Sequence, residues 1–170
     1  MNPAFSVIFF TTLSGAGQGL FVTLALADLS TRGGATSPSP GLLITGGLVA
    51  LVLTGLGLLA SFFHLGHPMR AWRAAAMWRT SWLSREGVLA VATFIPACGL
   101  LLLLRESPSG TLAPLVRAIG GLLALLSLAT VASTAMIYAS LKPIPAWRHP
   151  LVLPVYVLFA LLTGGLPMLL

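Results

Sequence analysis

Residues 41–65 read GLLITGGLVALVLTGLGLLASFFHL, a run of 25 positions with no Asp, Glu, Lys or Arg. Crossing the ~30 Å hydrocarbon core of a bilayer takes about 20 helical residues. A helix on the surface of a soluble domain would show a charged face, and this stretch has none. Four more stretches of the same kind surround it, at 3–27, 84–104, 112–140 and 150–170, with lengths of 25, 21, 29 and 21 residues. Backbone groups in lipid must be satisfied within the segment that carries them, so these stretches read as helices and not as strands. The expected fold class is all-α: a polytopic integral membrane bundle of about five transmembrane helices, forming one transmembrane domain over 1–170.

Composition leads to the same reading. The 170 residues are 57% hydrophobic and 7% charged, with a mean hydropathy of +1.00. Soluble domains carry about 25% charged residues, and nine basic plus three acidic side chains cannot clothe a soluble globule of this size. The 18 glycines and 12 prolines suit helices in lipid. The single cysteine, Cys98, excludes an intrachain disulfide, an iron–sulfur cluster and a cysteine zinc site. The basic residues sit at membrane-loop positions with no basic stripe of stacking aromatics, so no nucleic-acid partner is expected. Ala25-Leu26-Ala27 looks like a signal-peptide cleavage site, but the first basic residue is Arg32, after the apolar run and not before it. A retained first helix is expected.

The connecting segments 28–40, 66–83, 105–111 and 141–149 carry the charge. On the side of the N-terminus lie Arg70, Arg73, Arg79, Arg85, Lys142 and Arg148; on the other side lie Arg32, Arg105 and Arg117. The positive-inside rule then places the N-terminus in the cytoplasm. Trp72, Trp78, Trp82 and Trp147 share that side with His64, His67 and His149. An aromatic belt would mark both faces, so one face of this protein is chemically distinct.

The densest group of reactive residues runs from Ser61 to Glu86. His64 falls at the end of the second stretch and Glu86 at the start of the third, and antiparallel packing brings those ends together. A histidine and a carboxylate at the membrane boundary can exchange protons near neutral pH, with Arg70 or Arg73 holding Glu86 ionised or binding a lipid headgroup. Bland readings stand beside this one. Ser84 suits an N-cap with Glu86 in the first helical turn, His64 suits a satisfied helix end, and the arginines suit topology. A bis-histidine haem site is disfavoured, because His64 and His149 both lie at helix ends. Ser14-Gly15-Ala16-Gly17-Gln18-Gly19 neither follows a strand nor has nucleotide-loop spacing. Gly15 and Gly19 read instead as a small-residue packing seam, as do Gly46, Gly47, Gly55 and Gly57, and Gln18 reads as an interhelical polar group.

The run His64-Leu65-Gly66-x-Pro68-Met69-Arg70-Ala71, followed by Leu83-Ser84-Arg85-Glu86, resembles the membrane anchor subunits of dimethyl-sulfoxide-reductase-type molybdoenzymes. The opening Asn2-Pro3-Ala4-Phe5-Ser6-Val7-Ile8-Phe9 and the Ser14–Gly19 segment look closer to the sulfite-dehydrogenase branch. The resemblance implies a bacterial cytoplasmic-membrane subunit that anchors a molybdopterin catalytic subunit and an iron–sulfur subunit, and that binds quinone or quinol (menaquinone or ubiquinone) as an exchangeable substrate. It matches the family's site carboxylate to Glu86 and its associated histidine to His64, which with Arg70 would surround the quinone headgroup. It also implies an eight-helix architecture, of which this chain would be a shortened form or a fragment. With one cysteine and no haem pair, electrons would pass directly between quinone and a partner's cluster, and no metal site is expected in this chain.

Two other functions compete: a structural anchor without redox work, and a small transporter. Transport calls for ionisable residues near the bilayer midplane, whereas the charged residues here lie near segment ends. The charge count generates a direct prediction. A topology reporter inserted in 66–83 should give the cytoplasmic signal and one in 105–111 the opposite; a reversed pair overturns the orientation.

Overall fold

The computed structural model describes residues 5–31, 38–63, 67–106, 112–141, 144, 147 and 149–169. Five α-helices follow one another: α1 Phe5–Thr31, α2 Pro40–Phe62, α3 Trp82–Glu106, α4 Ala113–Ala139 and α5 Val152–Gly165. A ten-residue 3₁₀ segment, Pro68–Met77, lies between α2 and α3, and a 3₁₀ turn, Leu166–Leu169, extends α5. All five helical units are long and apolar enough to cross a membrane. Each element of the expected bundle is present, with ends that move by a few residues.

Two of those shifts have a physical cause. α1 runs on through Asp28, four residues past the expected end, and Arg117 of α4 faces that carboxylate at 3.9 Å. α3 starts at Trp82, because Ser81 and not Ser84 supplies its cap: the Ser84 N–H donates to Ser81 Oγ at 3.4 Å, and the Arg85 N–H to the Ser81 carbonyl at 3.1 Å. Glu86 therefore falls in the second turn, and the reading of it as a first-turn partner of the helix dipole does not hold.

α1 is the central helix, packing along α2, α4 and α5, while α3 packs mainly on α4. Half of α1's apolar window is buried, against 11–33% for the other helices. Its Leu20, Phe21 and Leu24 meet Ala50 of α2, Ala97 of α3 and Leu123 of α4 in the main core cluster. On α3, Glu86, Ala90, Thr93 and Ala97 form one buried stripe at spacings of four, three and four, while Val91, Ile95 and Leu102 point outward.

Small residues set the helix spacing, as expected where lipid competes equally well for apolar side chains. A Cβ on Gly57 of α2 would come within 2.7 Å of the Ser14 nitrogen of α1, and one on Gly17 of α1 within 2.7 Å of the Ala50 carbonyl of α2. On the other flank of α1, a Cβ on Gly164 of α5 would press into the Gly19 backbone, and one on Gly19 into the Ala160 carbonyl. A Cβ on Gly15 would meet nothing within 4 Å among the described residues, so the expected Gly15–Gly19 seam is replaced by two contacts, one centred on Gly17 and the other on Gly19.

The backbone contact with α5 generates the second prediction. Gly164→Leu should destabilise the bundle by about 1–3 kcal/mol or more through overpacking against backbone that cannot yield, whereas Gly15→Ala should be nearly neutral. Thermal unfolding of the detergent-solubilised protein compares the two, and equal losses would count against this contact.

Candidate functional site

Glu86 is 2% exposed, a carboxylate inside an apolar helix. Burying it alone would be costly, and such groups need hydrogen-bonded partners. The partner is Thr134 of α4, whose Oγ1 donates to Glu86 Oε1 and also approaches the Thr130 carbonyl at 3.2 Å. One turn beyond Thr134, Tyr138 stacks on Tyr156 of α5 with ring centroids 5.5 Å apart. Trp147 meets Tyr138 edge-on at 5.1 Å.

Seven residues along α3, a rise of about 10 Å, Thr93 accepts a hydrogen bond from Gln18 Nε2 of α1 at 3.4 Å. Gln18 is thus the interhelical polar group its sequence context indicated. Between α1, α4 and α5 lies a cavity of about 390 Å³, whose walls include Gln18, Thr134, Tyr156 and Phe159. A second cavity of about 380 Å³, walled by Tyr138, Trp147 and His149, shares Val155 and Tyr156 with the first. His149 Nδ1 accepts from the Leu151 N–H at 3.2 Å, so its ring is held by the turn before α5.

The site residues read from sequence are distributed unevenly. Glu86 is at the centre. His64 lies outside the described residues, as do Lys142 and Arg148. Arg70 is exposed on the 3₁₀ segment; among the described residues the ion pair formed is Asp28–Arg117, at the far end of the bundle, and not one between Arg70 and Glu86. Thr134, Tyr138 and Tyr156 were not singled out in the sequence. For Thr134 and Tyr138 the signal is Thr130-x₃-Thr134-x₃-Tyr138, a polar line at helical spacing on α4; Tyr156, on α5, has no such signal.

The 3₁₀ segment and the start of α3 form a braced cationic surface. Arg85 donates from Nε to the Trp78 carbonyl at 2.9 Å and from its terminal nitrogen to the Arg79 carbonyl at 2.7 Å, and its guanidinium lies 4.2 Å from the Trp82 ring centroid. Arg73 and Arg79 lie 5.6 and 6.0 Å from the rings of Trp72 and Trp78. Trp72 and Trp78 remain 70% and 54% exposed.

Five apolar helices around a buried, hydrogen-bonded carboxylate define a polytopic integral membrane protein. The chain belongs to the family of the DMSO reductase anchor subunit (DmsC), which it matches over residues 1–169. It is 44% identical over 160 residues to the C subunit of the sulfite dehydrogenase of Allochromatium vinosum, covering 89% of this chain and 49% of that one. It is 31% identical over 110 residues to the C component of the polysulfide reductase of Wolinella succinogenes, covering 61% of this chain and 34% of the relative. The chain thus spans about half the length of the first relative and about a third of the second. No solved structure matches it.

Proposed function

We propose that this chain is the quinone-reactive membrane anchor of a molybdopterin oxidoreductase. It would exchange electrons with an iron–sulfur subunit, whose molybdopterin partner acts on sulfite. The observation that carries the redox reading is Glu86: a buried carboxylate hydrogen-bonded to Thr134, which itself walls a cavity of about 390 Å³. That volume lies in the range of small-molecule sites. Quinone–quinol interconversion moves two protons with each electron pair. Glu86 would carry one of them, with Thr134 fixing one carboxylate oxygen and Tyr156 lying at the shared wall of the two cavities. His64, matched by the resemblance to the family's associated histidine, would share the proton or orient the ring. Arg70 would act further out, towards the headgroup region. Sulfite as the partner's substrate is supported by the 44% identity to the sulfite dehydrogenase component. The charge count favours a cytoplasmic N-terminus in a bacterial inner membrane.

Glu86→Gln preserves size and removes the titrating group. Quinone-linked turnover of the assembled complex should fall by about 10²-fold or more, the usual scale for losing an acid–base group, while activity with a soluble artificial electron carrier stays near wild type. Normal quinone-linked rates would leave the chain as a structural anchor. The iron–sulfur subunit would dock on the cationic, tryptophan-bearing surface at Arg70, Arg73, Arg79, Trp72, Trp78 and Trp82, since Arg and Trp dominate interface hot spots. Photocrosslinkers at Trp72 and Trp78 should capture that subunit; capture only from the 28–40 or 105–111 segments would remove this face from the assembly.

A further inference from the structure

The cavity between α1, α4 and α5 has an unusual hydrogen-bond polarity. Its wall carries six aliphatic hydroxyls, and each already donates. Thr11, Thr12 and Ser14 donate to the carbonyls of Val7, Ile8 and Phe10 at 3.0, 2.8 and 2.5 Å. Thr130 and Thr163 do the same to Leu126 and Phe159 at 2.8 and 2.7 Å. Thr134 donates to Glu86. What these oxygens offer a ligand is lone pairs, not hydrogens.

Gln18 completes the pattern. The Thr93 hydroxyl donates to the Ala90 carbonyl at 2.7 Å, so towards Gln18 it can only accept. That fixes the amide: Nε2 faces Thr93 at 3.4 Å, and Oε1 is turned away from it. Among the described residues Oε1 has no hydrogen-bond partner, although Gln18 is 0% exposed and walls the cavity. A buried carbonyl oxygen without a donor leaves a specific demand, which a ligand hydroxyl can meet and a ligand carbonyl cannot.

We propose that this cavity selects the reduced, hydroxyl-bearing form of a benzoquinone-type ring over its oxidised form, with Gln18 Oε1 as the acceptor and Thr93 as the residue that orients it. The inference rests on the quinone reading above and adds to it which redox form the site holds. Apart from Thr134, which donates to Glu86, Tyr156 is the one wall residue whose O–H is not returned to its own helix. A quinone ring presents two carbonyl oxygens, so even with Tyr156 donating to one, the other can be satisfied there only by breaking an existing bond of the aliphatic hydroxyls. A hydroquinone presents two O–H donors to the same wall and breaks none. Sites built around a hydrogen bond reject the analogue that lacks it far more strongly than apolar pockets reject a change in size.

The test is equilibrium binding of a short-tailed benzoquinol and of its benzoquinone to membranes carrying the assembled complex, under anaerobic conditions. The wild type should bind the reduced form at least about tenfold more tightly, the worth of one buried hydrogen bond. Gln18→Met keeps length and removes both polar atoms; it should bring the ratio close to one by weakening the reduced form alone. Thr93→Val, which does not touch the cavity, frees the amide to flip and should lower the ratio while the summed affinity is kept. A merely structural role for Thr93 would move both affinities together. If Gln18→Met does not assemble, Thr93→Val decides alone. Equal binding of the two forms by the wild type, or a ratio that neither variant moves, overturns the selectivity and leaves the quinone reading standing. Binding of neither form removes both.

Discussion

In lipid, a leucine gains little by leaving its neighbours for another leucine, so apolar surface alone does not fix how five apolar helices meet. What fixes it here is the approach of backbone to backbone along α1. Gly57 lets α2 lie against Ser14 of α1 and Gly17 lets α1 lie against Ala50 of α2, while Gly19 and Gly164 let α5 lie against the opposite flank. Dispersion between closely approached main chains replaces the hydrophobic effect as the source of specificity. With α1 gripped from two sides, its intervening face, including Gln18, is aimed at the space bounded by α4 and α5. The cavity is therefore a consequence of where the small residues are.

The same geometry makes the burial of Glu86 tolerable. A carboxylate in an apolar helix demands a partner at its own depth, and α3 and α4 are the pair that supply one, through Thr134. Because α3 buries a single stripe, Glu86 and Thr93 share one face, and two polar cross-links of α3, Glu86–Thr134 and Thr93–Gln18, fall on a common line. Each tethers α3 to a different neighbour, which offsets its limited packing against α2. On the proposed reading, function and assembly draw on the same few polar atoms, as is usual for ionisable groups within membranes.

Much of this was legible in the sequence, and the reasons are specific. Hydropathy exposes five spans because lipid imposes a length and a composition on every one of them. Glu86 stands out as the acid next to the Trp82-Leu83-Ser84-Arg85 run, and Gln18 as an amide among glycines. The Ser81 cap was missed because Trp82 and Leu83 look like interfacial residues and not helix; the cap hides one turn upstream of the more obvious serine. Tyr138 was missed because its helical line with Thr130 and Thr134 was not read, and Tyr156 because its relation to Tyr138 depends on how α4 meets α5, which periodicity does not encode. The Gly15–Gly19 pairing failed for a similar reason. Small residues four apart mark a face that can be approached, but only the neighbouring helix decides which of them is.

The rule that makes helices the solution in lipid also determines what a polar cavity inside them can recognise. Thr and Ser survive in apolar helices by returning their hydrogen to the carbonyl a turn earlier. The reward is local: the side chain is satisfied without any tertiary partner. The chemical consequence is that a cavity walled by such residues loses its donors and keeps its lone pairs. Donors must then come from side chains that cannot reach their own backbone, and in this bundle the long, stiff Tyr156 is the cavity residue of that kind. Gln18 is long enough to reach Thr93, and doing so uses its N–H and leaves its oxygen behind. A membrane site assembled from threonines, one serine and one tethered amide, with a single tyrosine to donate, would thereby be biased towards ligands that bring hydrogens of their own.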